Sequence, residues 1–219
     1  MVVAGCLWLI PSAHADRTIT LTFVRHAQSA GNASGLIDTS VPGPAITALG
    51  AGQAIEVAKE LSPNGYDGIY ASTMVRTQQT AAPMSVALAE PVSVLSGLRE
   101  IEAGRYEGQP EAGAQQFFTA PAAWLHGDRN ARISGSIDGN EFDARFDDAV
   151  QSIYDSGDVN PVAFSHAAAI MVWVLMNVKN PDVSLATQDP LPNTGHVVIV
   201  GSPRDGWTLV DWDGASVPR

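Results

Sequence analysis

Short apolar runs of β-strand character alternate along this chain with longer segments that place apolar residues at helical spacing. Strand-like runs occur at 18–24, 68–72 and 161–164, and helix-like segments occur at 47–61 and 74–89. Helices between strands carry the chain back along the sheet, so that neighbouring strands run parallel and both faces are covered. This order predicts an α/β fold, with a three-layer α/β/α arrangement and a mostly parallel central sheet.

The length and composition favour a single domain. A chain of 219 residues with 45% hydrophobic content can build one well-packed core, but it is short for two. We place this domain at 16–219. Between about 105 and 146 the sequence mixes Gly, Gln, Ala and aromatic residues, and it shows no convincing strand. We therefore expect a small, largely helical cap insertion in this stretch.

The charge of the chain limits its partners. A net charge of -11 and a pI near 4.6 disfavour binding to nucleic acid or to anionic membranes, because both reward a basic surface. Outside the first 15 residues no segment reaches the ~18 apolar residues of a membrane span, so we expect no integral membrane segment in the mature chain. An anion site must then be a local cluster of cations. The sequence leaves the oligomeric state open.

Residues 1–15 have the character of a secretory signal peptide. An apolar run at 2–10 is followed by Pro11, and Ala13 and Ala15 are small residues at the positions that a signal peptidase reads. We expect cleavage after Ala15 and a secreted or cell-envelope protein. The alternatives are a lipoprotein with Cys6 as its lipidated residue, or a buried N-terminal strand or helix. Cys6 is the only cysteine, so no intrachain disulfide can form.

Arg25 and His26 directly follow the first strand-like run. A neutral imidazole can attack phosphorus, and a guanidinium offers two parallel donors to phosphate oxygens. Open α/β sheets bind ligands outside the carboxyl ends of their strands, which is where this pair falls. The pair alone is weak evidence, but Arg76, Glu100 and His166 are further candidates that a parallel sheet could gather at the same edge. Together they indicate a phosphate-binding cleft.

Five stretches, in order along the chain, resemble motifs of the histidine phosphatase superfamily, the group that contains cofactor-dependent phosphoglycerate mutase. They include an Arg-His pair after a strand, an Arg in a helical segment, a Leu-x-Glu pattern and a Ser-His pair. The matching stretches are 21–32, 47–54, 71–81, 98–108 and 163–166. Several matches in one order are a much stronger signal than any single one.

The resemblance implies a role for each of the matching polar residues. His26 is expected to become transiently phosphorylated. Arg25, Arg76 and His166 are expected to bind the phosphoryl group, and Asn32 matches a position that often helps to hold it. The expected activity is therefore that of a phosphatase, a hydrolase of phosphomonoesters. Its substrate would be a small-molecule phosphate ester or a phosphoprotein.

The same resemblance implies that Glu100 is the acid that protonates the leaving group. An alkoxide is a poor leaving group, so an acid must protonate it, and the resulting carboxylate can then activate water. Glu102 is a rival only two residues away. We prefer Glu100 because it stands in the Leu-x-Glu pattern, with Gly104 four residues later.

Two alanines depart from the family pattern. Ala27 follows His26 and Ala167 follows His166, where the family usually has glycine. Glycine allows close approach of the backbone to phosphate. This departure leaves a catalytically weak phosphate-binding protein as one alternative to a phosphatase. A phosphoglycerate mutase-type phosphoryl transferase is the other.

Further features complete the sequence-based interpretation. The histidines and carboxylates lack a zinc-binding spacing such as His-Glu-x-x-His, and phosphohistidine chemistry needs no metal, so we expect no metal and no cofactor. Asn193 and Thr194 are similar to a late family element near the site. We interpret Phe117, Phe118 and Trp124 in the cap as core residues rather than as a substrate platform.

Overall fold

A computed structural model describes residues 17–113 and 115–218. The proposed leader at 1–15, with Cys6, lies outside the described residues, and its prediction stays a prediction. No helix in the described part of the chain is long and apolar enough to cross a membrane.

One seven-stranded sheet forms the centre of the domain, with the strand order β3-β2-β4-β1-β5-β6-β7. The strands are β1 (Ile19–Arg25), β2 (Gly68–Ala71), β3 (Val92–Val94), β4 (Pro161–Ser165), β5 (His196–Ser202), β6 (Gly206–Trp212) and β7 (Ala215–Ser216). The first four in this order, β3, β2, β4 and β1, are parallel neighbours. β5 is antiparallel to β1 and β6 is antiparallel to β5, so β6 again runs in the direction of β1. The prediction of a mostly parallel α/β sheet is confirmed.

Seven α-helices surround the sheet in the described residues. They are α1 (Ala30–Ser34), α2 (Ala48–Leu61), α3 (Val75–Leu88), α4 (Gln115–Leu125), α5 (Gly139–Asp155), α6 (Ala167–Asn177) and α7 (Leu185–Gln188). As the sequence suggests, Thr47 caps α2 by accepting a hydrogen bond from the Gly50 amide at 3.0 Å. α3 continues from Val75 to Leu88 with Pro83 inside it.

Successive residues of β1 show why the fold has three layers. Phe23 points to one face of the sheet, where it meets the ring of Trp173 from α6 edge-on at 5.7 Å between centroids. Val24 points to the other face and joins Val57 of α2 and Met84 of α3 in a second core cluster. The alternation follows from the two-residue period of a strand. Burial of each large side chain contributes ~1.5–3 kcal/mol, so both faces drive folding.

The cap contains α4 and two short 3₁₀ turns, Gly104–Tyr106 and Glu111–Gly113. Its bounds at about 105–146 stay a prediction. α5 begins at Gly139, and its Phe142 and Phe146 are fully buried in the main core. Asp138 starts α5 with a capping box, in which its side chain accepts from the amide of Glu141 while the Glu141 carboxylate accepts from the amide of Asp138.

Candidate active site

The carboxyl ends of the parallel strands bring the predicted site residues to one edge of the sheet. Arg25 ends β1 and lies opposite Ser165, the last residue of the neighbouring β4. Arg25, His26, Asn32, Arg76 and Glu100 all line one cleft of about 280 Å³ at this edge. The sixth predicted residue lies beneath the cleft rather than on its open wall.

That sixth residue, His166, is fully buried and its ring meets the ring of His26 edge-on, with 5.1 Å between centroids. Its Nε2 lies 2.9 Å from the hydroxyl of Ser72, the residue that follows β2. When Ser72 donates to Nε2, the ring proton sits on Nδ1, and the imidazole then presents an N–H donor. Burial, followed by the charge of Arg76, lowers the pKa of His166 well below 6.5, so the ring is neutral.

His26 is held in a defined tautomer. Its Nδ1–H donates to the backbone carbonyl of Ala27 at 2.8 Å, and its Nε2 accepts from the Nε–H of Arg76 at 3.1 Å. The lone pair is thus on Nε2, the nitrogen available for attack. Burial and then the nearby Arg76 charge lower the pKa of His26 well below 6.5. The ring therefore stays neutral and nucleophilic at neutral pH.

The two arginines carry more hydrogen-bond donors than the protein uses. Arg76 also donates through Nη2 to the carbonyl of Asp38 at 3.2 Å, and Arg25 donates through Nη1 to the carbonyl of Leu191 at 2.6 Å. Nη1 of Arg76 and Nε of Arg25 are buried and have no hydrogen-bond partner among the described residues, and the same is true of Nδ1 of His166. Each buried donor left unpaired costs ~1–3 kcal/mol, so the two guanidiniums and His166 keep hydrogen-bonding capacity that the described residues do not use.

Asn32 belongs to a hydrogen-bond network that holds the backbone at His26. Its Oδ1 accepts from the Ser29 amide at 3.1 Å and from Nδ2 of Asn193 at 3.2 Å. Because the oxygen is occupied, the NH₂ group of Asn32 is the end that can donate into the cleft. Asn193 also donates to the carbonyl of His26 at 3.0 Å.

Glu100 and Glu102 occupy different environments. Oε1 of Glu100 accepts from the amides of Ile101 and Ala169, each at 2.9 Å, which fastens the carboxyl group to the start of α6 beside the cleft. Burial raises the pKa of Glu100, although these amides and Arg76 oppose the shift. Glu102 instead pairs with Arg99 at 3.2 Å and does not line the cleft.

Arg145 of α5 holds the segment that presents Glu100. Its Nη1 donates to the carbonyls of Gly97 at 2.9 Å and Arg99 at 3.0 Å. Its Nη2 donates to the carbonyl of Glu100 at 3.3 Å and lies 3.4 Å from Glu102. One guanidinium therefore ties three carbonyls of this irregular segment to α5.

Comparison with known proteins agrees with this geometry. The family model described as histidine phosphatase superfamily (branch 1) matches residues 21–214. The chain belongs to this superfamily. The match covers all six predicted site residues, from Arg25 to His166.

A curated relative extends well beyond this domain. PE-PGRS family protein PE_PGRS11 of Mycobacterium tuberculosis is 44% identical over 218 residues, which cover 92% of this chain but 37% of that protein. The chain thus spans little more than a third of that relative. The family match at 21–214 falls almost entirely on residues that the structure describes.

Solved structures share the fold. A mycobacterial glucosyl-3-phosphoglycerate phosphatase superposes with a TM-score of 0.74 at 20% identity, covering 91% of this chain and 100% of that chain. A phosphoserine phosphatase mutant from Entamoeba histolytica, in complex with phosphoserine, gives a TM-score of 0.72 at 21% identity, covering 89% of this chain and 96% of that chain. At these identities the likeness shows the fold.

The two alanines that replace the usual glycines of the superfamily cause no backbone strain. Neither Ala27 nor Ala167 is among the residues with positive φ, so neither position needs the freedom of glycine. Ala27 is fully buried, and its amide donates to the Thr80 hydroxyl at 2.9 Å. Ala167 is the first residue of α6 and lines the cleft. The backbone at both histidines therefore has an ordinary conformation.

The structure also shows functional positions that the sequence-based interpretation missed. Trp124 is a core residue, as expected, and stacks on Phe142 at 5.7 Å. Phe118 is 46% exposed and lines the cleft, so its assignment to the core is wrong. Phe117 is buried but also contributes to the wall.

Arg145 and Asn193 support the site from outside its open wall. Only Asn193 had a sequence signal, its place in the late family element.

Proposed function

We propose that this protein is a metal-independent phosphomonoester hydrolase that acts through a phosphohistidine at His26. The observation that carries the proposal is the geometry at Nε2 of His26. This nitrogen bears the lone pair and contacts Arg76, Arg25 lines the same cleft, and the ring of His166 packs against the ring of His26. A phosphoryl group in transfer spreads negative charge over its equatorial oxygens, and such preorganised donors stabilise that charge.

In the first half-reaction, Nε2 of His26 attacks phosphorus in line with the leaving oxygen. The N–P bond forms as the P–O bond to the alcohol breaks, and protonated Glu100 gives its proton to the departing oxygen. Its raised pKa favours the protonated form that this step needs. The phosphorylated imidazolium keeps its Nδ1–H, and the carbonyl of Ala27 accepts this hydrogen and stabilises the charge.

The second half-reaction regenerates the enzyme. The Glu100 carboxylate takes a proton from water, the water oxygen attacks phosphorus, and the N–P bond breaks. Inorganic phosphate leaves, His26 returns to its neutral form, and Glu100 is again protonated. One carboxyl group thus serves both steps, first as acid and then as base. The positive charge comes from the two guanidiniums, so neither step requires a metal.

Release of phosphate distinguishes hydrolysis from its alternatives. We expect protein treated with a chelator to release inorganic phosphate from simple phosphomonoesters and to leave 2- and 3-phosphoglycerate without isomerisation. Isomerisation would support the mutase. Tight binding of vanadate without turnover across a broad panel of esters would support a phosphate-binding protein. Export of the chain, whether secreted or held at the cell envelope, remains a separate prediction from residues 1–15.

A further inference from the structure

Beyond the phosphate end, the cleft has an apolar wall. The cap contributes Phe117 and Phe118, whose rings meet edge-on at 4.8 Å between centroids. Leu36 and Met171 complete this wall from the loop after α1 and from α6. Phe118 is 46% exposed and Leu36 is 42% exposed, which is high for large apolar side chains. Half-exposed apolar side chains that converge on a cleft are typical of a ligand-binding surface.

The charge of the cleft is divided between its two ends. Among the described residues that line it, Arg25 and Arg76 are the only Lys or Arg side chains, and both belong to the phosphate end. The remaining wall carries the carboxylates of Asp38 and Glu111. Burial lowers the pKa of Arg25, and the carboxylates of Glu100 and then Glu111 oppose that shift.

This division discriminates between leaving groups. A second anionic group on the substrate, such as a carboxylate or another phosphate, would face Asp38 or Glu111, while Arg25 and Arg76, the only Lys or Arg side chains of the described lining, would already be engaged by the first phosphate. Like charges placed against each other oppose binding, and a desolvated anion without a partner adds to the penalty. An apolar leaving group would cover Phe118 and Leu36, and a cationic group would be attracted to the carboxylates.

We infer that the substrates are phosphomonoesters whose alcohol part is apolar or carries a positive charge. Esters whose alcohol part carries a second anionic group are rejected. The inference rests on the proposed phosphatase function. It narrows that function by excluding phosphoglycerates, inositol polyphosphates and other polyanionic esters as preferred substrates.

Three phosphate esters, each with an alkoxide as its leaving group, test the inference. They are 2-phenylethyl phosphate, phosphoethanolamine and 3-phosphoglycerate, whose leaving groups are apolar, cationic and anionic. We expect kcat/KM for 2-phenylethyl phosphate to exceed that for 3-phosphoglycerate at least ~10-fold, with phosphoethanolamine between them. Phe118→Ala should lower kcat/KM for the phenylethyl ester ~10-fold, and Glu111→Gln should raise kcat/KM for 3-phosphoglycerate ~3-fold.

Matched variants away from the cleft serve as controls. Val86→Ala removes an apolar side chain that is 83% exposed on α3, and Glu60→Gln removes an exposed carboxylate from α2. Both should leave the three rates unchanged. Equal or preferred hydrolysis of 3-phosphoglycerate would overturn the inference while leaving a phosphatase in place. Absence of phosphate release from every ester would overturn the proposed function, and the inference with it.

Discussion

Arg76 donates its Nε–H to Nε2 of His26 at 3.1 Å, so that the side chain proposed to bind phosphate contacts the nitrogen proposed to attack phosphorus. The contact has two consequences. In the proposed mechanism a substrate phosphoryl group draws the guanidinium away from Nε2 before attack, which would couple binding to exposure of this nitrogen. The charge of Arg76 also opposes protonation of the ring and helps to keep it neutral.

Replacing Arg76 should change both the nucleophile and the rate. In Arg76→Met we expect the pKa of His26 to rise, because one of the causes that lower it is removed, and kcat/KM to fall by ~10²–10³-fold, the usual cost of losing one donor to the transition state. Ring-nitrogen NMR gives the pKa and steady-state assays give the rate. Lys59→Met, which removes an exposed cation on α2, should change neither. An unchanged His26 pKa would contradict the contact.

Glu100→Gln should slow esters with poor leaving groups much more than esters with good ones. General acid catalysis contributes ~10²–10⁴-fold where the leaving group needs a proton, and 4-nitrophenolate needs little help. Single-turnover phosphorylation with 2-phenylethyl phosphate and 4-nitrophenyl phosphate measures the difference. Glu102→Gln is the matched control and should retain the wild-type ratio. Equal losses on both esters would argue against Glu100 as the acid.

The pKa shifts predict the pH profile of phosphoenzyme formation. The step requires neutral His26 and protonated Glu100. Because the pKa of His26 is lowered, the rate should fall on the acid side only well below pH 6.5. Because the pKa of Glu100 is raised, the rate should fall on the alkaline side only above pH 4.5, as the acid loses its proton. Single-turnover rates across pH test this, and Glu100→Gln should remove the alkaline limb alone.

Arg145 should matter for stability as well as for positioning. Arg145→Ala leaves three carbonyls without this donor and leaves Glu102 with Arg99 as its remaining cation, and we expect a loss of ~2–4 kcal/mol in the free energy of unfolding. Urea denaturation measures it. Arg132→Ala breaks ion pairs of a half-exposed arginine and should cost clearly less. Equal losses would show that Arg145 does not hold the segment.

The strand and helix order could be predicted from the sequence because its signals are local. The alternation in β1 and the cap at Thr47 depend on residues within a few positions of each other. The strands β5 and β6 flank a short turn with Pro203 and Gly206, which is also a local signal. The placement of Arg25, His26 and His166 then followed from the rule that parallel strands end at one edge.

The supporting contacts could not be predicted in this way. Asn193 holds the carbonyl of His26 across 167 positions of sequence, and Arg145 reaches Gly97 across 48. Such pairs depend on how α5 and the loop before β5 pack. Phe117 and Phe118 are neighbours on one helix, and only the orientation of α4 over the cleft shows which ring stays half-exposed.

Covalent labelling of the nucleophile tests the central claim most directly. Protein mixed with ³²P-labelled phosphomonoester and quenched within milliseconds should carry label that is stable to base and labile to acid, and peptide mapping should place it on His26. His26→Ala should carry none, whereas His126→Ala, which changes an exposed histidine in the cap, should label normally. Undiminished label in His26→Ala, or wild-type turnover without any labelled protein, would contradict a phosphohistidine mechanism at His26.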